Sequence, residues 1–135
     1  MTTRPLTLTA PDRETLRQIL ASRSAAHHEP RTLTDLIVGM SESVTVQSQD
    51  VPRSVVTLNS RVRVRTLGTD AERELTVVAG QSDLREGRVS VLTPVGGALL
   101  GRREGETVEC EAPAGRVRLR IEAVLYQPET AGAAA

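Results

Sequence analysis

Two runs of arginine alternate with aliphatic residues: Arg61-Val62-Arg63-Val64-Arg65 and Arg116-Val117-Arg118-Leu119-Arg120-Ile121. In an extended chain alternate side chains share a face, so each run lines up three guanidinium groups. Such a row suits an acidic or phosphate-bearing partner, because the planar fork binds carboxylate and phosphate oxygens in pairs. Arg63 and Arg118, central in their runs, are the partner-facing candidates. The same pattern also suits a solvated face, since Glu72, Glu74, Glu109, Glu111 and Glu122 occupy neighbouring stretches.

The other chemically capable residues give weaker patterns. His27-His28-Glu29 brings together two imidazoles and a carboxylate, but adjacent side chains diverge and no further ligand lies at a suitable spacing. No metal site is expected. Cys110 sits between Glu109 and Glu111 and two residues from Val108, which points to an inward, unreactive thiol. Both histidines fall in one turn, so no Ser-His-Asp or Cys-His arrangement emerges. Gly96-Gly97-Ala98-Leu99-Leu100-Gly101 lacks the spacing and the lysine of a phosphate-binding loop, and reads as a glycine-bounded helical turn. Tyr126, in the last strand, is expected to be partly buried with its hydroxyl at an edge. No catalytic residue and no cofactor are expected.

The elements that must position these residues change character near residue 51. Before it the period is helical. Leu16, Ile19 and Leu20 form one stripe, with Thr9 and Asp12 as a capping pair and Pro11 in the first turn. Pro30 reads as a breaker, and Leu33, Leu36, Ile37, Met40 and Val44 repeat at helical spacing. Two short helices zipped along their apolar stripes are expected, as an αα-hairpin over residues 1–50. From 51 to 135 the period is two. Strands are predicted at 61–65, 74–79, 88–92, 106–111 and 116–121, with a short helix from Gly96 and glycines between them. The fold class is α+β: a short helical hairpin, then a mainly antiparallel sheet with one apolar face.

Composition closes several doors. The 17 basic residues are all arginine and are matched by 17 acidic ones, so the net charge is zero. That gives no general pull toward nucleic acid or a membrane surface. One tyrosine, with no phenylalanine or tryptophan, cannot build a base-stacking platform. No sequence-specific nucleic-acid binding is expected. The single cysteine excludes an intrachain disulfide framework, and the missing lysine excludes Schiff-base chemistry. No apolar run approaches the roughly 20 residues of a membrane span, and no secretory leader follows Met1, so a cytoplasmic protein is expected.

Three stretches resemble one family. They are Val56-Thr57-Leu58-Asn59-Ser60-Arg61-Val62, the run from Ser90 through Thr93-Pro94 to Gly101, and Tyr126-Gln127-Pro128-Glu129. Together with Arg4-Pro5-Leu6-Thr7-Leu8, Asp12-Arg13 and Leu16 to Leu20, they are similar to the Gre transcription factors and, among these, the Rnk-type regulators of nucleoside diphosphate kinase. The resemblance covers roughly residues 3 to 129.

The resemblance implies a short coiled-coil hairpin followed by an FKBP-like domain with the GreA/GreB-type C-terminal fold. It implies RNA polymerase as partner, bound by a monomer at the rim of the secondary channel. The family's contact turn falls on Leu92, Thr93 and Pro94, where leucine replaces a polar first residue, and Asn59 and Ser60 are further partner-facing candidates. Gre factors stimulate transcript cleavage through paired carboxylates at the tip of a long coiled coil. Here the hairpin is short and its tip carries His28 and Glu29, with Glu29 the only carboxylate. A non-enzymatic regulator is therefore expected, competing with Gre factors without stimulating cleavage, and with any effect on nucleoside diphosphate kinase indirect. Isomerase activity is not expected, because a proline pocket needs aromatic walls. The alternatives are a Gre-type cleavage factor, and a binder of an acidic or phosphate-bearing partner through the arginine faces.

Overall fold

The computed structural model describes residues 5–22, 30–112 and 115–131. Strand β1 (Thr7–Thr9) leads directly into helix α1 (Ala10–Leu20), and helix α2 (Pro30–Ser41) leads to strand β2 (Val44–Val46). β1 and β2 pair in parallel. The second part holds β3 (Arg61–Thr66), β4 (Glu72–Val78), β5 (Arg88–Ser90), helix α3 (Pro94–Leu99), β6 (Thr107–Ala112) and β7 (Gly115–Tyr126). These five strands form one sheet in the order β5-β4-β3-β7-β6. All neighbours are antiparallel except β4 and β5.

The alternation seen in the sequence sets the sheet's two faces. Val62 and Val64 of β3, Leu75 and Val77 of β4, and Leu119 and Ile121 of β7 point inward and are buried. Leu99 and Leu100 at the end of α3 close over them, and Leu8, Leu16, Leu36 and Met40 of the N-terminal part join the same core. Two register shifts between β3 and β7 bend the long last strand.

The N-terminal part departs from the expected hairpin in three ways. First, α2 stops at Ser41, and Val44 lies in a strand, where it is 51% exposed. Val44-Thr45-Val46 is rich in β-branched residues, and the neighbouring β1 offers it a ladder. Second, Pro30 opens α2 instead of breaking a helix, consistent with proline's fitness for a first turn. Third, the described helices have partners besides each other: α1 packs on β1 and β2, and α2 packs on α3. Leu16 of α1 and Leu36 and Met40 of α2 face the shared core, while Ile37 is 53% exposed. Gly39 fits because Leu6 lies against it, where a β-carbon would come within 2.8 Å of Leu6 Cδ1. The connection holding His28 and Glu29 lies outside the described residues.

Candidate functional site

The turn between β5 and α3 is built by hydroxyls. Ser90 Oγ accepts the Leu92 N–H at 3.1 Å, and Thr93 Oγ1 donates to the Ser90 carbonyl at 2.7 Å. The same Thr93 oxygen accepts the Gly96 N–H at 3.3 Å, capping α3, and Pro94 occupies the first helical turn. Gly96 presses against the β5 backbone: a β-carbon there would sit 2.0 Å from the Ser90 carbonyl oxygen. Only glycine permits that approach. Thr93 and Pro94 are half-buried at the surface, and Leu92 is 4% exposed with its side chain in the core. Leu92 therefore anchors the turn and cannot present its side chain to a partner. The leucine at that position is explained by its burial.

Asn59 and Ser60 part company in the same way. Asn59 is exposed, with a left-handed φ of 69°, and its N–H donates to the Val77 carbonyl. Ser60 is fully buried: its oxygen accepts the Thr57 N–H at 2.8 Å and pairs with the Thr57 hydroxyl at 2.7 Å. Ser60 is thus a turn-building residue and not a partner-facing one.

The turn also receives two carboxylates. Glu129 Oε1 accepts the Thr57 hydroxyl at 2.7 Å, and Asp12 Oδ2 accepts the Leu58 N–H at 3.0 Å. Next to Glu129, Gln127 donates through Nε2 to the Pro52 and Val55 carbonyls at 2.9 and 2.8 Å. The Val56–Val62 and Tyr126–Glu129 motifs are therefore joined to each other in the fold. Asp12 is buried at the start of α1, where Thr9 Oγ1 caps its N–H at 3.1 Å. Burial pushes its carboxyl up to about 6. The Leu58 N–H lowers it, the charge of Glu129 raises it, and the Thr9 contact lowers it slightly. The sequence showed Asp12 only as half of a cap. Nothing in the spacing indicated that its carboxylate turns inward to residue 58.

The arginine stripes fall on the solvent face of the sheet, as their alternation requires. Register places Arg63 opposite Glu74 and Arg65 opposite Glu72, and Arg118 opposite Glu109. Arg61 pairs with Glu74, Arg65 with Glu72 at 2.9 Å and Glu122 at 3.1 Å, Arg120 with Glu122 at 3.3 Å, and Arg116 with Glu111 at 3.3 Å. Arg63 reaches Glu74 only at 3.9 Å, and among the described residues no ion pair is present at Arg118. A face so interleaved with acid is mostly self-neutralised. Cys110 is buried on the opposite face, and burial pushes its thiol up. Tyr126 is 44% exposed, more open than its position suggested. Among the described residues no cluster of three or more His, Cys, Asp or Glu side chains is arranged to hold a metal ion, and no helix is long and apolar enough to cross a membrane.

Comparison with known proteins decides the family. Residues 47–126 match the family described as transcription elongation factor GreA/GreB, C-terminal. The chain belongs to the GreA/GreB family. It is 41% identical over 87 residues to the regulator of nucleoside diphosphate kinase of Escherichia coli, covering 62% of this chain and 63% of that protein. It is 38% identical over 72 residues to the transcription elongation factor GreA of Xylella fastidiosa, covering 53% of this chain and 46% of GreA. The chain thus spans less than two thirds of either relative. A solved GreA/GreB transcription elongation factor from Nitrosomonas europaea superposes with a TM-score of 0.75 at 32% identity, covering 92% of this chain and all of that one. Its mixed architecture of helices and a curled sheet is that of this GreA/GreB structure.

Proposed function

We propose that this GreA/GreB-family chain is a Rnk-type regulator that docks on RNA polymerase through the Thr93–Pro94 turn, near the secondary channel, and competes there with Gre factors without stimulating transcript cleavage. The observation that carries this reading is the turn itself. Its backbone is fixed by Ser90, Thr93 and Gly96, its leucine is withdrawn into the core, and Thr93 and Pro94 remain at the surface. A rigid, pre-formed turn loses little conformational entropy on docking.

The short helices argue against cleavage stimulation. Helices of 11 and 12 residues are only about 17 and about 18 Å long, too short to carry carboxylates deep into a large enzyme. On the described part of α2 the acidic residue is Asp35, a turn inside the helix. The domain from residue 51 onward is the FKBP-like unit in this reading, without isomerase activity, since its one aromatic ring, Tyr126, is solvent-exposed and cannot wall a proline pocket. The chain acts as a monomer and binds no cofactor.

The test is co-purification with core RNA polymerase, alone and against an excess of a Gre factor. Binding that the Gre factor displaces, weakened at least tenfold by Pro94→Ala, supports the reading. A folded protein that fails to bind at micromolar concentration contradicts it. Transcript cleavage in stalled complexes should stay at the level of polymerase alone.

A further inference from the structure

Two carboxylates grip consecutive residues of one turn. Asp12, at the start of α1, holds the Leu58 N–H at 3.0 Å, and Glu129, beyond β7, holds the Thr57 hydroxyl at 2.7 Å. Helix, turn and C-terminal segment therefore meet at one point. Asp12 is 8% exposed, so its bond to Leu58 is made away from water, where such a bond is strong and its loss is costly. The bond lies between the N-terminal elements and the sheet domain, and β1 is tied to the same domain by Thr7 N–H to the Gly101 carbonyl at 3.1 Å.

We propose that Asp12 is a positioning residue: by gripping Leu58 it sets the angle at which α1 stands on the sheet domain. The consequence for function rests on the docking reading. With the Thr93–Pro94 turn seated on polymerase, the angle of α1 fixes where the helical part is presented.

The surroundings of Asp12 give this grip a signature. Glu129 faces it from the C-terminal segment. Its neighbour Arg13 is turned away, donating to the Met40 carbonyl at 3.0 Å and to Ser43 Oγ at 2.7 Å. β1 contributes the Thr9 hydroxyl, and the 57–60 turn contributes hydroxyls and backbone amides. The carboxyl is thus held among uncharged groups and one like charge, with no facing cation among the described residues. Protonating Asp12 weakens it as an acceptor, and the Leu58 amide reports the change directly.

The experiment follows the Leu58 amide by nuclear magnetic resonance in the full chain. In the wild type its chemical shift should titrate with a midpoint near pH 6. In Asp12→Asn, which keeps an acceptor oxygen, the titration should vanish while exchange protection stays within threefold. In Asp12→Leu, Leu58 exchange should accelerate at least tenfold and residual dipolar couplings should show α1 reoriented against the sheet. Glu129→Gln removes the like charge, so it should lower the Leu58 midpoint. Polymerase affinity should fall at least fivefold in Asp12→Leu and be retained in Asp12→Asn. A Leu58 amide that does not titrate, a midpoint unmoved by Glu129→Gln, or an unchanged α1 orientation in Asp12→Leu overturns the proposal. If Asp12→Leu does not fold, Leu58 exchange and the orientation of α1 are read in Asp12→Ala instead, with the same expectations. If wild-type protein does not bind polymerase, the docking reading falls while the Leu58 measurements still judge the grip.

Discussion

The solvent face of the sheet and the turn at residues 57–60 both run on charged and hydrogen-bonding side chains, yet they carry opposite weight. The face has many ion pairs, among them Arg65 with Glu72 and Glu122 and Arg116 with Glu111, on side chains that are open to water except for the half-buried Glu122. Water screens such pairs, and fixing two long side chains costs entropy, so each contributes little to stability. The turn has four polar groups, Asp12, Thr57, Ser60 and Glu129, three of them buried and all bonded to one another or to backbone. There a missing partner leaves a dry donor unsatisfied, at a cost of about 1–3 kcal/mol. The abundance of charge in a sequence is therefore a poor guide to where charge matters.

The largest expected effect that sharpens this contrast comes from Asp12 and pH. Its carboxyl is raised in the folded protein to about 6, so the native chain holds a proton that the unfolded chain releases. Stability then falls as pH rises between about 4 and about 6 and is level above that, the reverse of a salt-bridged carboxylate. Measured as urea unfolding against Asp12→Asn, the wild-type curve should drop by about 3 kcal/mol across that window. A flat difference between the two curves would break the claim that the carboxylate is buried at a cost. Next in size is Ser60→Ala, which strands the Thr57 N–H and should lower the unfolding free energy by about 2 kcal/mol with little dependence on salt. Smallest is the face. A double-mutant cycle on Arg65 and Glu72 should give a coupling well below the Ser60→Ala loss, reduced further in 1 M salt. A coupling above that of Ser60→Ala would reverse the comparison.

The sheet was legible because its physics is local. Strict alternation in Arg61–Arg65 and Arg116–Ile121 dictated which side chains face the core, and Val62, Val64, Leu119 and Ile121 are buried accordingly. Thr9 was legible as a helix cap for the same reason. The N-terminal strands were not, because β1 and β2 are three residues each and exist through each other, a pairing between residues 7–9 and 44–46 that no window contains. Val44 continued a helical count that the chain itself abandons at Ser41. Of the site residues, Thr93 and Pro94 are half-buried at the surface, whereas Leu92 and Ser60 are buried. Their burial follows from tertiary packing, and a serine that builds a turn has the same letter as one that meets a partner. The Asp12 contact spans 46 residues and left no trace in the sequence.

Displacement on RNA polymerase tests the central claim most directly. A labelled Gre factor is pre-bound to core polymerase, and this protein is titrated in as wild type and as Pro94→Ala. The account predicts that the wild type displaces the Gre factor to completion, and that Pro94→Ala, folded by its unchanged unfolding midpoint, needs at least ten times the concentration. Binding of the two proteins to polymerase together, or equal displacement by wild type and variant, would contradict it.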